Sequence, residues 1–166
     1  FENKSKIGFN FEGGSFGTYQ GTACYNFGNK FIESKSIVFF SQSENDFEYT
    51  NFTHREKPVV NQQHAAFKNF GFIQNLDFKI KPNQFLSVGL WYQFTKREIP
   101  PLMTSSESDA EQRDSLLRTF LGYKILLKNS VLKLKGAYFR EFQYYDDEKQ
   151  NLAQKYLVNS VLSEAE

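Results

Sequence analysis

The sequence predicts an all-β fold: an antiparallel up-and-down meander of seven or eight strands, forming part of a large transmembrane β-barrel. Three observations predict it. Apolar and polar residues alternate with period two along most of the 166 residues. Tight turns and long polar connections alternate between the segments. A ten-residue strand at ~3.3 Å per residue and ~45° tilt rises about 23 Å, close to the ~25 Å apolar band of outer-membrane barrels.

The segments follow in order. The first has Ile7, Phe9 and Phe11 on one row; the second sets Tyr19 to Phe27 against Thr18 to Asn26; the third runs Phe31 to Ser41. The fourth sets Phe70, Phe72, Gln74, Leu76, Phe78 and Ile80 against Asn69, Gly71, Ile73, Asn75, Asp77 and Lys79. The fifth has Leu86, Val88, Leu90, Tyr92 and Phe94 opposite Ser87, Gly89, Trp91, Gln93 and Thr95. The sixth runs Leu117 to Leu127 and the seventh Leu132 to Tyr138; the eighth, Tyr156 to Glu164, alternates least. Gly28–Lys30, Lys81–Gln84 and Lys128–Ser130 carry the Gly, Pro and Asn of tight turns. Gln42–Ala65, Lys96–Asp114 and Gln143–Lys155 are long and polar. Loop-length parity puts these three outside the cell and the tight turns in the periplasm, with the short Gly13–Gly17 hairpin on the long-loop side.

Cost decides which row meets lipid. Opposite the apolar rows lie Glu33, Lys35, Asp77, Lys79, Arg118, Lys124, Lys133 and Lys135. Turning these to lipid at ~2–4 kcal/mol per midplane Lys or Arg totals on the order of 10 kcal/mol even when discounted for depth. The charges therefore belong to a polar lumen. Lys68, Lys96 and Arg140 break the pattern and are read as lying at the long-loop ends, where long side chains snorkel. Tyr92, Phe94, Tyr138 and Phe142 form an aromatic girdle near that end. A soluble barrel would invert the arrangement, apolar row inward and charges to water; loop asymmetry, girdle and strand length favour the membrane.

Composition narrows the function classes. Twenty Lys and Arg against 19 Asp and Glu give a net charge of +1, so no basic face for nucleic acid is expected. No apolar run approaches the ~20 residues of a membrane helix. The single Cys24 rules out an internal disulfide or a Cys-based zinc site. Gly13-Gly14-Ser15-Phe16-Gly17 matches the nucleophile-elbow pattern, but that elbow needs a helix after it, and a strand pattern follows. His54 and His64, ten apart in one loop, have no metal-motif spacing. No enzymatic activity and no resident cofactor are expected. Glu44, Asp46 and Glu48 alternate in the same loop and could suit calcium, although the spacing is not that of an EF-hand and a solvated acidic loop is the simpler reading. The candidate ligand-binding residues sit on the lumen row: Trp91, with Gln93 and Thr95 above it, and Arg118. Trp91 fits packing on a ligand or plug and packing on barrel neighbours equally well.

Three stretches are similar to TonB-dependent outer-membrane receptors. Gly14-Ser15-Phe16-Gly17-Thr18-Tyr19 resembles the first hairpin after their plug domain. Leu90-Trp91-Tyr92-Gln93 with Arg97-Glu98-Ile99-Pro100-Pro101-Leu102-Met103 resembles strand five and its loop in Bacteroidetes-type members grouped with cobalamin and siderophore receptors. Ser43-Glu44-Asn45-Asp46-Phe47 resembles the start of their second long loop. The resemblance implies that residues 1–166 are the N-terminal portion of such a barrel domain, without plug or remaining strands. It implies energy-coupled uptake, in the bacterial outer membrane, of a scarce bulky ligand such as cobalamin or an iron chelate. The implied partners are outer-membrane lipid, the receptor's own plug, TonB through a preceding region, and the small-molecule ligand. The alternative is a complete small eight-stranded outer-membrane barrel with an adhesive or structural role. Its packed interior would have to neutralise Lys35, Lys79, Arg118, Lys124, Lys133 and Lys135 with few acids, chiefly Glu33 and Asp77.

Overall fold

The computed structural model describes residues 4–104 and 109–166. Ten strands follow one another: β1 (Lys4–Gly14), β2 (Thr18–Gly28), β3 (Ile32–Ser43), β4 (Glu48–Thr50), β5 (Val59–Asn61), β6 (Phe67–Lys81), β7 (Gln84–Glu98), β8 (Glu111–Leu126), β9 (Val131–Asp147) and β10 (Leu152–Ala165). Eight of them form one antiparallel sheet in the order β1-β2-β3-β6-β7-β8-β9-β10, a meander; β4 and β5 make a separate two-stranded hairpin. The sheet is not closed: β1 and β10 are its two edges.

Each turn has a local cause. Between β1 and β2, Phe16 and Gly17 both have positive φ, 59° and 64°, as the central pair of a turn that Thr18 N closes by donating to the Ser15 carbonyl at 3.2 Å. Gly17 is needed twice over, since a Cβ there would also lie 2.9 Å from Glu44 Cγ. The Phe16 carbonyl accepts from Glu44 N (2.9 Å), Ser43 Oγ (3.0 Å) and Asn45 N (3.3 Å), which fastens the turn to the exit of β3. Strand β2 follows directly, so Ser15 lies on a hairpin and no nucleophile elbow is built. At the other end Asn29 Oδ1 accepts from the amides of Phe31 (2.8 Å) and Ile32 (3.0 Å).

Four expectations need correction. Gln143–Lys155 is no long loop: β9 continues to Asp147 and β10 begins at Leu152, leaving a short turn in which Gln150 N donates to Asp147 Oδ1. Its residues pair instead, Tyr144 with Arg113 and with Lys155, and Asp146 with Glu111 and with Ala153. Longer β9 also places Arg140 well inside the strand, two rows below Lys96 on the same face, rather than at the loop end. Third, Gln42–Ala65 is partly ordered, with β3 running to Ser43 and the β4–β5 hairpin inside it. Lys96–Asp114 shortens as well, because β7 reaches Glu98 and β8 starts at Glu111; its residues 105–108 lie outside the described ones.

The register sorts side chains onto two faces, as the alternation requires. One row of the apolar face reads Phe9, Ala23, Val38, Phe72, Tyr92, Leu117 across β1 to β8, and the next reads Phe11, Gly21, Phe40, Phe70, Phe94, Ser115, Phe142. The other face carries the charges towards the tight-turn end: Glu33, Asp77, Ser87, Gly122, Lys135 and Glu164 share a row, and Phe85, Lys124 and Lys133 another. It is richer in acids than the sequence suggested. Glu141 pairs with Arg118 (2.6 Å), Glu164 with Lys135 (3.0 Å) and Glu166 with Lys133 (2.8 Å). Glu164 and Glu166 were hard to place because the last segment alternates least.

The sheet is a single layer with almost no core. Ala110 is the one buried hydrophobic residue among those described, and Phe9, Phe11 and Val161 are 75%, 67% and 77% exposed. The accessible surface is 11734 Å², whereas a compact monomer of this mass exposes about 8500 Å². Both faces of the sheet are therefore largely uncovered by the chain itself.

On the polar face large rings lie flat over glycines. A Cβ on Gly71 would fall 2.1 Å from Phe39 Cζ, whereas a Cβ on Gly136 would meet nothing closer than the Leu162 carbonyl at 4.0 Å. Gly71→Ala should displace the Phe39 ring and destabilise the sheet by about 1–3 kcal/mol. Gly136→Ala should be neutral within about 0.5 kcal/mol. Denaturant midpoints of the two variants check this; equal midpoints would mean that Phe39 does not cover Gly71.

Candidate functional site

The polar face gathers its functional groups on β6 to β9, towards the end that carries the two long connections. Trp91, Arg118 and Phe139 are direct cross-strand neighbours on β7, β8 and β9. One row above are Gln93, Leu116 and Glu141, and above these Asn69, Thr95, Asp114 and Gln143. Alternation within a strand set the face; pairing between strands assembled the site.

Arg118 is its centre. The guanidinium carbon sits 5.2 Å from the Trp91 ring centroid and 5.6 Å from that of Phe139, within cation–π range of both. Arg118 Nη2 donates to Glu141 Oε1 at 2.6 Å. Arg118 Nε and Trp91 Nε1 are buried donors without a hydrogen-bond acceptor, which is costly for polar groups unless another molecule or a small rotation supplies one.

A second set of contacts lies above it. Asn69 Oδ1 accepts from Gln93 Nε2 and from Thr95 Oγ1, each at 3.0 Å, which fixes both candidate side chains. Asp114 pairs with Arg97 (2.8 Å) and accepts twice from Gln112 Nε2 at 3.0 Å. Between these groups lies a depression of about 400 Å³, lined by Gln93, Thr95, Arg97, Asp114, Arg118 and Glu141 among others. That is the size of a small-molecule pocket, enough for part of a bulky ligand. Its groups suit a polar molecule bearing both donors and acceptors, with Arg118 and Arg97 for carboxylate or phosphate oxygens.

Three of the four sequence candidates, Gln93, Thr95 and Arg118, thus line one cavity; Trp91 lies one row below and packs against Arg118. Asn69, Asp114 and Glu141 were missed. Asn69 and Asp114 carried a signal, since each falls on the polar row level with Thr95 once the strands are set in register.

Described residues of the two long connections are tied to each other at this end. Thr53 Oγ1 donates to the Met103 carbonyl (2.9 Å), and His64 Nε2 lies 2.8 Å from the Ala110 carbonyl, with Nδ1 3.8 Å from Glu98. His64 is therefore a tie between loops. Glu44 packs beside Gly17. Among the described residues no three acidic, imidazole or thiol groups converge as metal ligands, so Glu44, Asp46 and Glu48 are not drawn into one cluster. No family model and no curated protein matches the chain.

Proposed function

We propose that the chain is a wall segment of a large β-barrel receptor of the TonB-dependent type, in the bacterial outer membrane, that takes up a scarce bulky ligand such as cobalamin or an iron chelate. One observation carries the reading: a single-layer antiparallel meander with one apolar and one polar face and almost no core of its own. The ten residue steps from Ile80 back to Phe70 on β6 rise about 25 Å at the ~40° tilt of barrel strands, matching the apolar band. In this reading the apolar face meets lipid, and the polar face lines a wet lumen that houses a plug. The depression around Arg118 contacts ligand or plug, and TonB engages a region preceding the barrel. The likeness of Gly14–Tyr19 and Leu90–Met103 to such receptors supports the class.

Deleting the gene should abolish uptake of the radiolabelled ligand, tested with cyanocobalamin and with ferric chelates, and a protonophore should abolish it in the wild type. Arg118→Leu, at unchanged abundance in the outer membrane, should weaken uptake about tenfold by removing a charged hydrogen-bonding group from the depression. Uptake that persists after deletion, or that ignores the protonophore, would overturn the assignment.

A further inference from the structure

On the apolar face a groove of about 440 Å³ opens between Phe94 on β7 and Phe142 on β9. Its cause is local. Phe94, Ser115 and Phe142 are cross-strand neighbours in one row, and the small Ser115 leaves a gap between two rings. Tyr92 lines the groove one row below, while Arg113, Tyr144 and Lys155 line it one row above. The floor is thus aromatic and continuous with the apolar band; the rim holds two cations, and the Asp114 carboxylate that also lines the groove is held by Arg97 at 2.8 Å.

The rim charges are placed for an anion. Lys155 Nζ sits 5.5 Å over the Tyr144 ring. Arg113 donates through Nη2 to Glu111 at 2.9 Å, and its side chain is 48% exposed and so accessible. Glu111 is shared with Lys96 (2.7 Å), and so does not neutralise the rim alone. Lys68 and Lys96 extend the same row. Arg140, two rows below the row of Lys96, Arg113 and Tyr144, stands on the apolar face with no carboxylate partner among the described residues. A guanidinium facing hydrocarbon at partial depth costs free energy unless it snorkels to an anion.

We propose that this groove is a lipid site: a phosphate headgroup binds Arg113 and Lys155 at the rim, and an acyl chain runs down over Phe94, Phe142 and Tyr92. The site rests on the reading of this face as the membrane face. The shared chemistry is a phosphate oxyanion, and the aromatic floor assigns it to a phosphate-bearing lipid, with phosphatidylglycerol as the probe, rather than to free phosphate.

The test uses the intact gene product in phosphatidylcholine vesicles, with and without phosphatidylglycerol at about one tenth of the lipid. After transfer to a mild detergent, bound lipid is counted by mass spectrometry. Wild type should retain phosphatidylglycerol, Arg113→Gln with Lys155→Gln about tenfold less. Arg113→Lys with Lys155→Arg should restore retention, which separates lost charge from a lost fold. Lys57→Gln with Lys128→Gln, an equal charge change elsewhere, should retain it as wild type does. Inorganic phosphate should not displace the lipid. Unchanged retention in the Gln pair, equal loss in the control pair, or displacement by phosphate would overturn the lipid site while leaving the membrane reading intact. A protein that never enters the vesicles would sink both.

Discussion

Refolded into detergent or lipid without further strands, residues 1–166 are expected to give aggregates or mispaired oligomers and no heat-modifiable monomer. The reason is the two edges. β1 spans 11 residues and β10 spans 14, and neither has an outer partner. In an antiparallel strand every second residue points both backbone groups outward. Roughly a dozen residues then offer about 25 unpaired N–H and C=O groups. If about half of them lie in hydrocarbon at ~2 kcal/mol or more each, the open sheet costs upwards of about 20 kcal/mol. No surface contact in this sheet approaches that figure. The strands must find partners, in a larger barrel or by β1 meeting β10. Eight strands can close geometrically. Closure would pack the polar face inward, with Lys35, Lys79 and Lys124 beside the three cations that already hold a carboxylate. A monodisperse, heat-modifiable, protease-resistant monomer would therefore establish the small-barrel alternative and overturn the segment reading.

The second large effect concerns the faces. Leu90→Arg should lower the stability of the membrane-inserted protein by about 2–4 kcal/mol, because Leu90 lies near the middle of the apolar band. Thr22→Arg, on the polar face next to the row of Trp91, should change it by less than about 0.5 kcal/mol, since that side chain is exposed among Asn10, Phe39 and other polar-face neighbours. Urea midpoints of the intact protein in vesicles of defined thickness measure both. Opposite outcomes for the two variants would mean that the charged face is the outer one, as in a soluble barrel with its apolar row turned in.

Period-two alternation was enough to place the strands and divide their side chains, because in a β-strand the face depends only on parity. Phe70 to Ile80 and Leu86 to Phe94 could be read this way with no neighbour in view. So could the turns at Gly28–Lys30, Lys81–Gln84 and Lys128–Ser130, whose residue types act through their own dihedrals. Strand length was not local. Tyr144 and Asp146 sit in a stretch that is polar by itself, and they are strand because Arg113, Glu111, Lys155 and Ala153 stand beside them in the ladder. The site shows the same division. Trp91, Gln93, Thr95 and Arg118 were legible as members of one face. That Glu141 meets Arg118, that Asn69 holds both Gln93 and Thr95, and that Trp91 packs beneath Arg118 instead of lining the cavity depend on register between strands. Register is a property of pairs of strands, and the openness of the sheet a property of all eight. Alternation within a strand says which way each side chain points, while tertiary pairing decides what it meets.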